Sequence, residues 1–189
     1  MSELQAKMFN KKAANPKNKP GEVLSAIGLK PGQSIADFGS GGGYFSLRFA
    51  ETVGEKGKVY AVDANREYLD FIRRSAETKG LHNLVLVFLS GSGLNLPDKA
   101  LDFIFIRNVT HHISDRAAYF KALHKYLKPG GRVAIIEYKR GKTISFRRLF
   151  GHHVSEETIG KEMDEAGFFL DKRFDFLPEQ HFSIFKLIS

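Results

Sequence analysis

A chain of 189 residues is long enough to bury the core of one α/β domain and leaves no room for a second of ordinary size. It contains no cysteine, which excludes disulfides, thiolate metal sites and cysteine nucleophiles, while a net charge of +8 raises the local concentration of anionic partners without saying anything about fold. No apolar run approaches the ~18 residues of a membrane span and the lysine-bearing start lacks the apolar stretch of a secretion signal, so a soluble, cytoplasmic chain with no transmembrane segment is expected.

Residues 1–20, with five lysines among asparagines and two prolines, read as a flexible basic N-terminal arm. A short helix follows over Glu22–Ile27, stopped by Gly28 and turned by Pro31–Gly32 into a strand at Ser34–Phe38. Helix-like and strand-like segments then alternate: a helix from Tyr44, a strand at Lys58–Val62, a helix from Asn65 to Lys79 and a strand at Leu84–Leu89. A strand at Leu101–Arg107, a helix from Ser114 to Leu127 and a strand at Arg132–Glu137 continue the pattern. Such alternation implies right-handed βαβ units, and continuously apolar strands imply a parallel sheet covered on both faces. A last helix at Ser155–Ala166 precedes strands at Phe168–Phe176 and His181–Ile188, whose short connection makes them antiparallel. The expected fold is therefore α/β, a doubly wound, Rossmann-like sheet, mostly parallel, with an antiparallel C-terminal hairpin and helices on both faces.

The most informative stretch is Ile35-Ala36-Asp37-Phe38-Gly39-Ser40-Gly41-Gly42-Gly43-Tyr44, a strand entering glycines and then a helix. Glycines there let the backbone turn sharply and approach a ligand closely, with the N–H groups of the helix start aimed at it. In an open parallel sheet, ligands sit beyond the carboxyl ends of the strands. Twenty residues after Gly43, Asp63 closes the next strand, placed to accept hydrogen bonds from both hydroxyls of a ribose. The pair points to an adenosine-containing ligand. A dinucleotide fingerprint would need glycine where Tyr44 stands, and no Gly-Lys-Ser/Thr sequence supports a triphosphate-cradling loop.

With those residues in view, the chain from about Pro20 onward resembles the class I S-adenosylmethionine-dependent methyltransferases. The loop Asp37 to Gly43 matches the family's Asp-x-Gly-x-Gly-x-Gly, and Asp63 matches its ribose-binding acid. Leu96-Pro97-Asp98-Lys99-Ala100-Leu101-Asp102-Phe103 is similar to the lead into its fourth strand, and Leu127-Lys128-Pro129-Gly130-Gly131 to the lead into its fifth. The resemblance implies a seven-stranded sheet, S-adenosylmethionine as cofactor, and a single methyltransferase domain over residues 21–189. It implies cofactor contacts from Asp37, Gly39, Gly41, Gly43 and Asp63. Ser92 stands where many members carry an adenine-binding aspartate, and Asn108 lies at the cofactor-facing end of the fourth strand. Arg107-Asn108-Val109, with the Lys128-Pro129-Gly130-Gly131 stretch, is similar to the ubiquinone and menaquinone biosynthesis C-methyltransferases, which implies a small-molecule acceptor.

Methyl transfer from a sulfonium needs a base only if the acceptor sheds a proton. His111 and His112, just beyond the fourth strand, are the candidates; the competing reading is that they pack against the next helix. The adjacent pair His152 and His153, with His181 distant, lacks further ligands at a familiar spacing, so no metal is expected. The basic, aromatic-interleaved segment 139–150 fits an anionic substrate, RNA or a membrane surface as well as a solvated lid. RNA methylation, or a non-catalytic cofactor-binding module of the same fold, are the alternatives. RNA is disfavoured because the Asn/Asp-Pro-Pro-aromatic motif of amino-methylating enzymes is missing at Arg107–Thr110.

Overall fold

Strand formation follows from runs of β-branched and aromatic residues, buried over most of their length in the strands that carry the core. In a computed structural model that describes residues 2–90, 94–139 and 153–188, seven strands form a single sheet: β1 (Ser34–Phe38), β2 (Lys58–Asp63), β3 (Leu84–Phe88), β4 (Leu101–Arg107), β5 (Leu127–Tyr138), β6 (Phe168–Phe174) and β7 (Gln180–Leu187). The order is β3-β2-β1-β4-β5-β7-β6. The chain divides into two compact units, one up to Pro97 and one from Asp98 onward.

In the first unit β1, β2 and β3 pair in parallel, with Ser34 against Lys58 and Val59 against Leu84 at the start of each ladder. Two helices return the chain between these strands, α3 (Tyr44–Val53) and α4 (Arg66–Thr78). The inward face of α3 carries Phe45, Phe49, Ala50 and Val53, and α4 sets Leu69 and Ile72 against Ala61. Asn65 caps α4 by accepting from the Glu67 and Tyr68 amides. Before β1 lies α2 (Pro20–Ile27), begun by a proline at its first position and stopped by Gly28 in the left-handed region.

The first residues differ from the flexible arm expected from composition: Ser2–Ala14 form a helix, α1. Its anchors are small or polar. Ala6 and Ala13 are buried, Asn10 bonds to the backbone at Gly42 and Tyr44, Gln5 meets the Tyr68 hydroxyl, and Phe9 packs edge-on against Tyr68. Leu4 and Met8 remain exposed, so the segment shows no apolar stripe in sequence.

In the second unit β4 and β5 are parallel, and β7 runs antiparallel to both β5 and β6. Phe103 to Ile106 and Val133 to Ile136 are almost wholly buried, on both faces of their strands. Two helices, α5 (Arg116–Ala122) and α6 (Glu156–Glu165), are tied by Arg116, whose guanidinium donates at 2.7 Å to both oxygens of Glu162. The helix expected from Ser114 to Leu127 is shorter: α5 ends at Ala122, a 3-10 turn occupies Leu123–Lys125, and β5 begins at Leu127. Leu127 pairs with Leu101, and the next paired residues are Arg132 and Phe103, so Lys128 to Gly131 form a bulge. Pro129 lacks a ladder donor and Gly130 turns at φ 72°, which is why the ladder breaks there.

Candidate functional site

In the first unit the end of β1 runs into the glycine loop, and each residue singled out from sequence has a defined place there. Gly39 and Ser40 donate their amides to the Val62 carbonyl at 2.8 and 3.1 Å, stitching the loop to the end of β2. The Gly43 amide closes a turn onto the Ser40 carbonyl, and Gly39, Gly41 and Gly43 all have positive φ. At Gly43 a Cβ would lie 2.5 Å from Ile72 Cγ1, so this glycine also lets α4 come close.

Asp63 is the organising group. One carboxylate oxygen accepts the Gly41 amide at 2.8 Å and the other accepts the Asn65 amide at 2.9 Å. A carboxylate has about four acceptor positions, so each oxygen keeps one lone pair for a further donor. Two acceptors side by side match the vicinal hydroxyls of a ribose. Ser40 adds a buried hydroxyl with no hydrogen-bond partner among the described residues. On these two observations the loop fits the adenosine and amino-acid parts of S-adenosylmethionine.

Asp37 is buried and accepts a hydrogen bond from Ser46 Oγ, joining β1 to α3. Its visible work is to hold the strand and helix between which the glycines turn. What sequence reading missed is α1 lying on this loop. Phe9 approaches Gly41, where a Cβ would be 3.4 Å from its ring, and any Cβ at Gly42 would collide with the Ala6 carbonyl and Asn10. The Asn10 amide donates to Gly42 O at 2.8 Å and accepts from Tyr44 N at 3.1 Å. Because Gly43 has no side chain to cap α3, Asn10 supplies the missing acceptor.

Asn108, His111 and His112 lie in the second unit, where β4 ends. Asn108 takes the left-handed conformation, φ 56°, which turns the chain into the 3-10 turn Thr110–His112. Its side-chain oxygen accepts from Gln180 Nε2 at 2.6 Å. His111 is nearly buried and its Nδ1 lies 3.0 Å from Glu137 Oε2, which also accepts from Thr110 Oγ at 2.6 Å. The other oxygen of Glu137 accepts the Tyr138 amide at 2.8 Å. Burial by itself would raise this carboxyl, but hydrogen bonds from His111, Thr110 and the Tyr138 N–H outweigh it and hold it below its ordinary value. His112 is exposed and its ring sits 4.1 Å from that of His111. Ser92, His152 and nearly all of the basic segment 139–150 lie outside the described residues.

Comparison with known proteins agrees with this geometry. The family model described as a methyltransferase domain matches residues 29–167. The demethylmenaquinone methyltransferase of Geobacillus stearothermophilus is 27% identical over 129 residues, 68% of this chain and 55% of that protein. A ubiquinone/menaquinone biosynthesis C-methyltransferase of Vibrio cholerae serotype O1 is 30% identical over 176 residues, covering 77% of this chain and 68% of the relative. The chain spans about half the length of most of the curated relatives it matches. The crystal structure of a SAM dependent methyltransferase from Aquifex aeolicus superimposes with a TM-score of 0.86 at 26% identity, over 97% of both chains. The glycine loop, its acidic partner at the end of β2, the seven-stranded order and these matches agree, and the chain belongs to the class I S-adenosylmethionine-dependent methyltransferases.

Proposed function

We propose that this chain catalyses methyl transfer to a small-molecule acceptor of the quinone type, using S-adenosylmethionine held by the glycine loop. The observation that carries the reading is the Asp63 carboxylate, fixed by two backbone amides with one lone pair left on each oxygen. Gly39, Gly41, Gly43 and Ser40 would border the amino-acid end of the cofactor and Asp63 its ribose, with Asp37 supporting the loop from below. Once bound, the cofactor supplies a methyl group activated by a positively charged sulfur. Support for the acceptor class comes from relatives named as a demethylmenaquinone methyltransferase and a ubiquinone/menaquinone biosynthesis C-methyltransferase.

The protein's own groups then have two tasks. The loop and Asp63 hold the donor in one orientation, which for an in-line displacement supplies much of the acceleration. A histidine beyond β4, His111 in this reading, takes the proton that a hydroquinone sheds when it gains a methyl group. His112, exposed beside it with its ring 4.1 Å from that of His111, is the second candidate.

The test is a transfer assay with methyl-labelled cofactor and menadiol, with total RNA as comparator. Label entering menadiol, with none in RNA, supports the reading; label in RNA alone, or in neither while the cofactor binds, overturns the acceptor class.

A further inference from the structure

We propose that Glu137 is a positioning residue that fixes His111 as the Nδ1–H tautomer and so makes Nε2 the proton-accepting atom of the site. The inference rests on His111 being the base, as proposed above, and adds a group that the sequence did not single out. Glu137 is fully buried at the end of β5, an unusual place for a carboxylate unless it is hydrogen-bonded.

Three donors converge on Glu137. Thr110 Oγ–H and the Tyr138 amide can only donate to a carboxylate, and their hydrogen bonds favour its ionised form. Facing an ionised oxygen at 3.0 Å, His111 Nδ1 must carry a hydrogen, because two lone pairs at that separation repel. In the neutral ring the basic lone pair is then on Nε2. Thr110 and His111 are neighbours in the 3-10 turn and both reach the same oxygen, so the turn itself is latched to β5 through Glu137.

The surrounding charges are consistent with this role. His112 stacks on His111, and His181 is the register partner of Glu137 on β7 but donates its Nε2–H to the Val154 carbonyl. Arg116, also within electrostatic reach of Glu137, is already engaged by Glu162. His111 is thus the ionisable side chain that shares a hydrogen bond with this carboxylate among the described residues.

In the step this implies, the methyl carbon bonds to the acceptor as its bond to sulfur breaks and the electron pair stays on sulfur. The proton leaving the acceptor moves to His111 Nε2. The resulting imidazolium faces the Glu137 carboxylate, and the proton then passes to water, restoring the neutral ring.

Two measurements test the inference, the first without cofactor or acceptor. Long-range 15N–1H spectra of the 15N-labelled protein, with His111→Ala used to assign the ring, should show His111 as the Nδ1–H tautomer; an Nε2–H tautomer overturns the proposal. The second compares kcat with menadiol for Glu137→Gln, His111→Ala and the double variant. Removing a general base costs about 10²- to 10⁴-fold. Glu137→Gln should lose part of that in kcat, with KM little changed and the acid limb of the kcat profile moved to lower pH. The loss should vanish on the His111→Ala background. A full additional loss in the double variant, or an unmoved pH profile, overturns the positioning role. A His111→Ala protein that keeps its kcat overturns the base reading instead, and the tautomer then decides the pairing alone. If Glu137→Gln fails to fold, the tautomer of His111 in the unaltered protein still decides the proposal.

Discussion

At the scale of single residues, a few side chains hold positions that are costly in isolation and make sense only through their partners. Asn108 is a non-glycine residue in the left-handed region, stabilised by its bond from Gln180. Left-handed backbone costs an ordinary L-residue about 1–2 kcal/mol, so Asn108→Val should lower unfolding free energy in urea by roughly that amount or more. Asn108→Gly should cost less, since glycine regains the backbone freedom while losing the side-chain bond. Equal losses for both would mean that the side-chain bond and not the turn dominates. Glu137 gives a second prediction. Its folded-state carboxyl is held below the ordinary 4.5, so its contribution to stability is present above that value and is lost as pH falls through the lower, folded one. Urea unfolding at neutral pH and near pH 3 should therefore show a smaller acid loss for Glu137→Gln than for the parent chain.

Among the elements, α1 is the one whose placement sequence periodicity did not reveal. It meets the loop and α4 through Ala6, Phe9 and Asn10 instead of an apolar stripe, so composition alone suggested a free arm. Gly42 carried part of the signal: a glycine beside three others looked like ligand space, whereas its missing side chain makes room for Ala6 and Asn10. Because Asn10 does the work of a helix cap for α3, Asn10→Ala should cost about 0.5–2 kcal/mol. Gly42→Ala should free α1, raising amide exchange over residues 2–14. Unchanged exchange there would show that α1 is held independently of the loop. The bulge at Lys128 to Gly131 is the other element-level surprise, since that stretch read as the lead into a strand beginning at Arg132 and instead interrupts a strand already begun at Leu127.

For the molecule as a whole, the alternation of apolar strands and amphipathic helices was readable because both faces of β1, β4 and the second half of β5 are buried and the period changes cleanly at each turn. The glycine loop and Asp63 were readable because backbone geometry demands those residue types. Glu137 was not, because it follows the apolar run Val133 to Ile136 and nothing in its neighbours reveals the partners that fold against it from the turn after β4. Asp37 was readable as an important acid, but its hydrogen bond to Ser46 required the fold to bring α3 over β1.

The central claim is that the glycine loop and Asp63 form a binding site for S-adenosylmethionine. Calorimetric titration of S-adenosylmethionine and S-adenosylhomocysteine, with NAD as comparator, into the parent protein and Asp63→Ala tests it directly, with thermal melting to verify that the variant is folded. Hydrogen bonds to a charged acceptor are worth about 1.5–3 kcal/mol, so the two sulfur ligands should bind the parent chain and lose on the order of 10- to 100-fold in affinity for Asp63→Ala. No binding, a preference for NAD, or equal affinity in a folded Asp63→Ala protein would contradict the account.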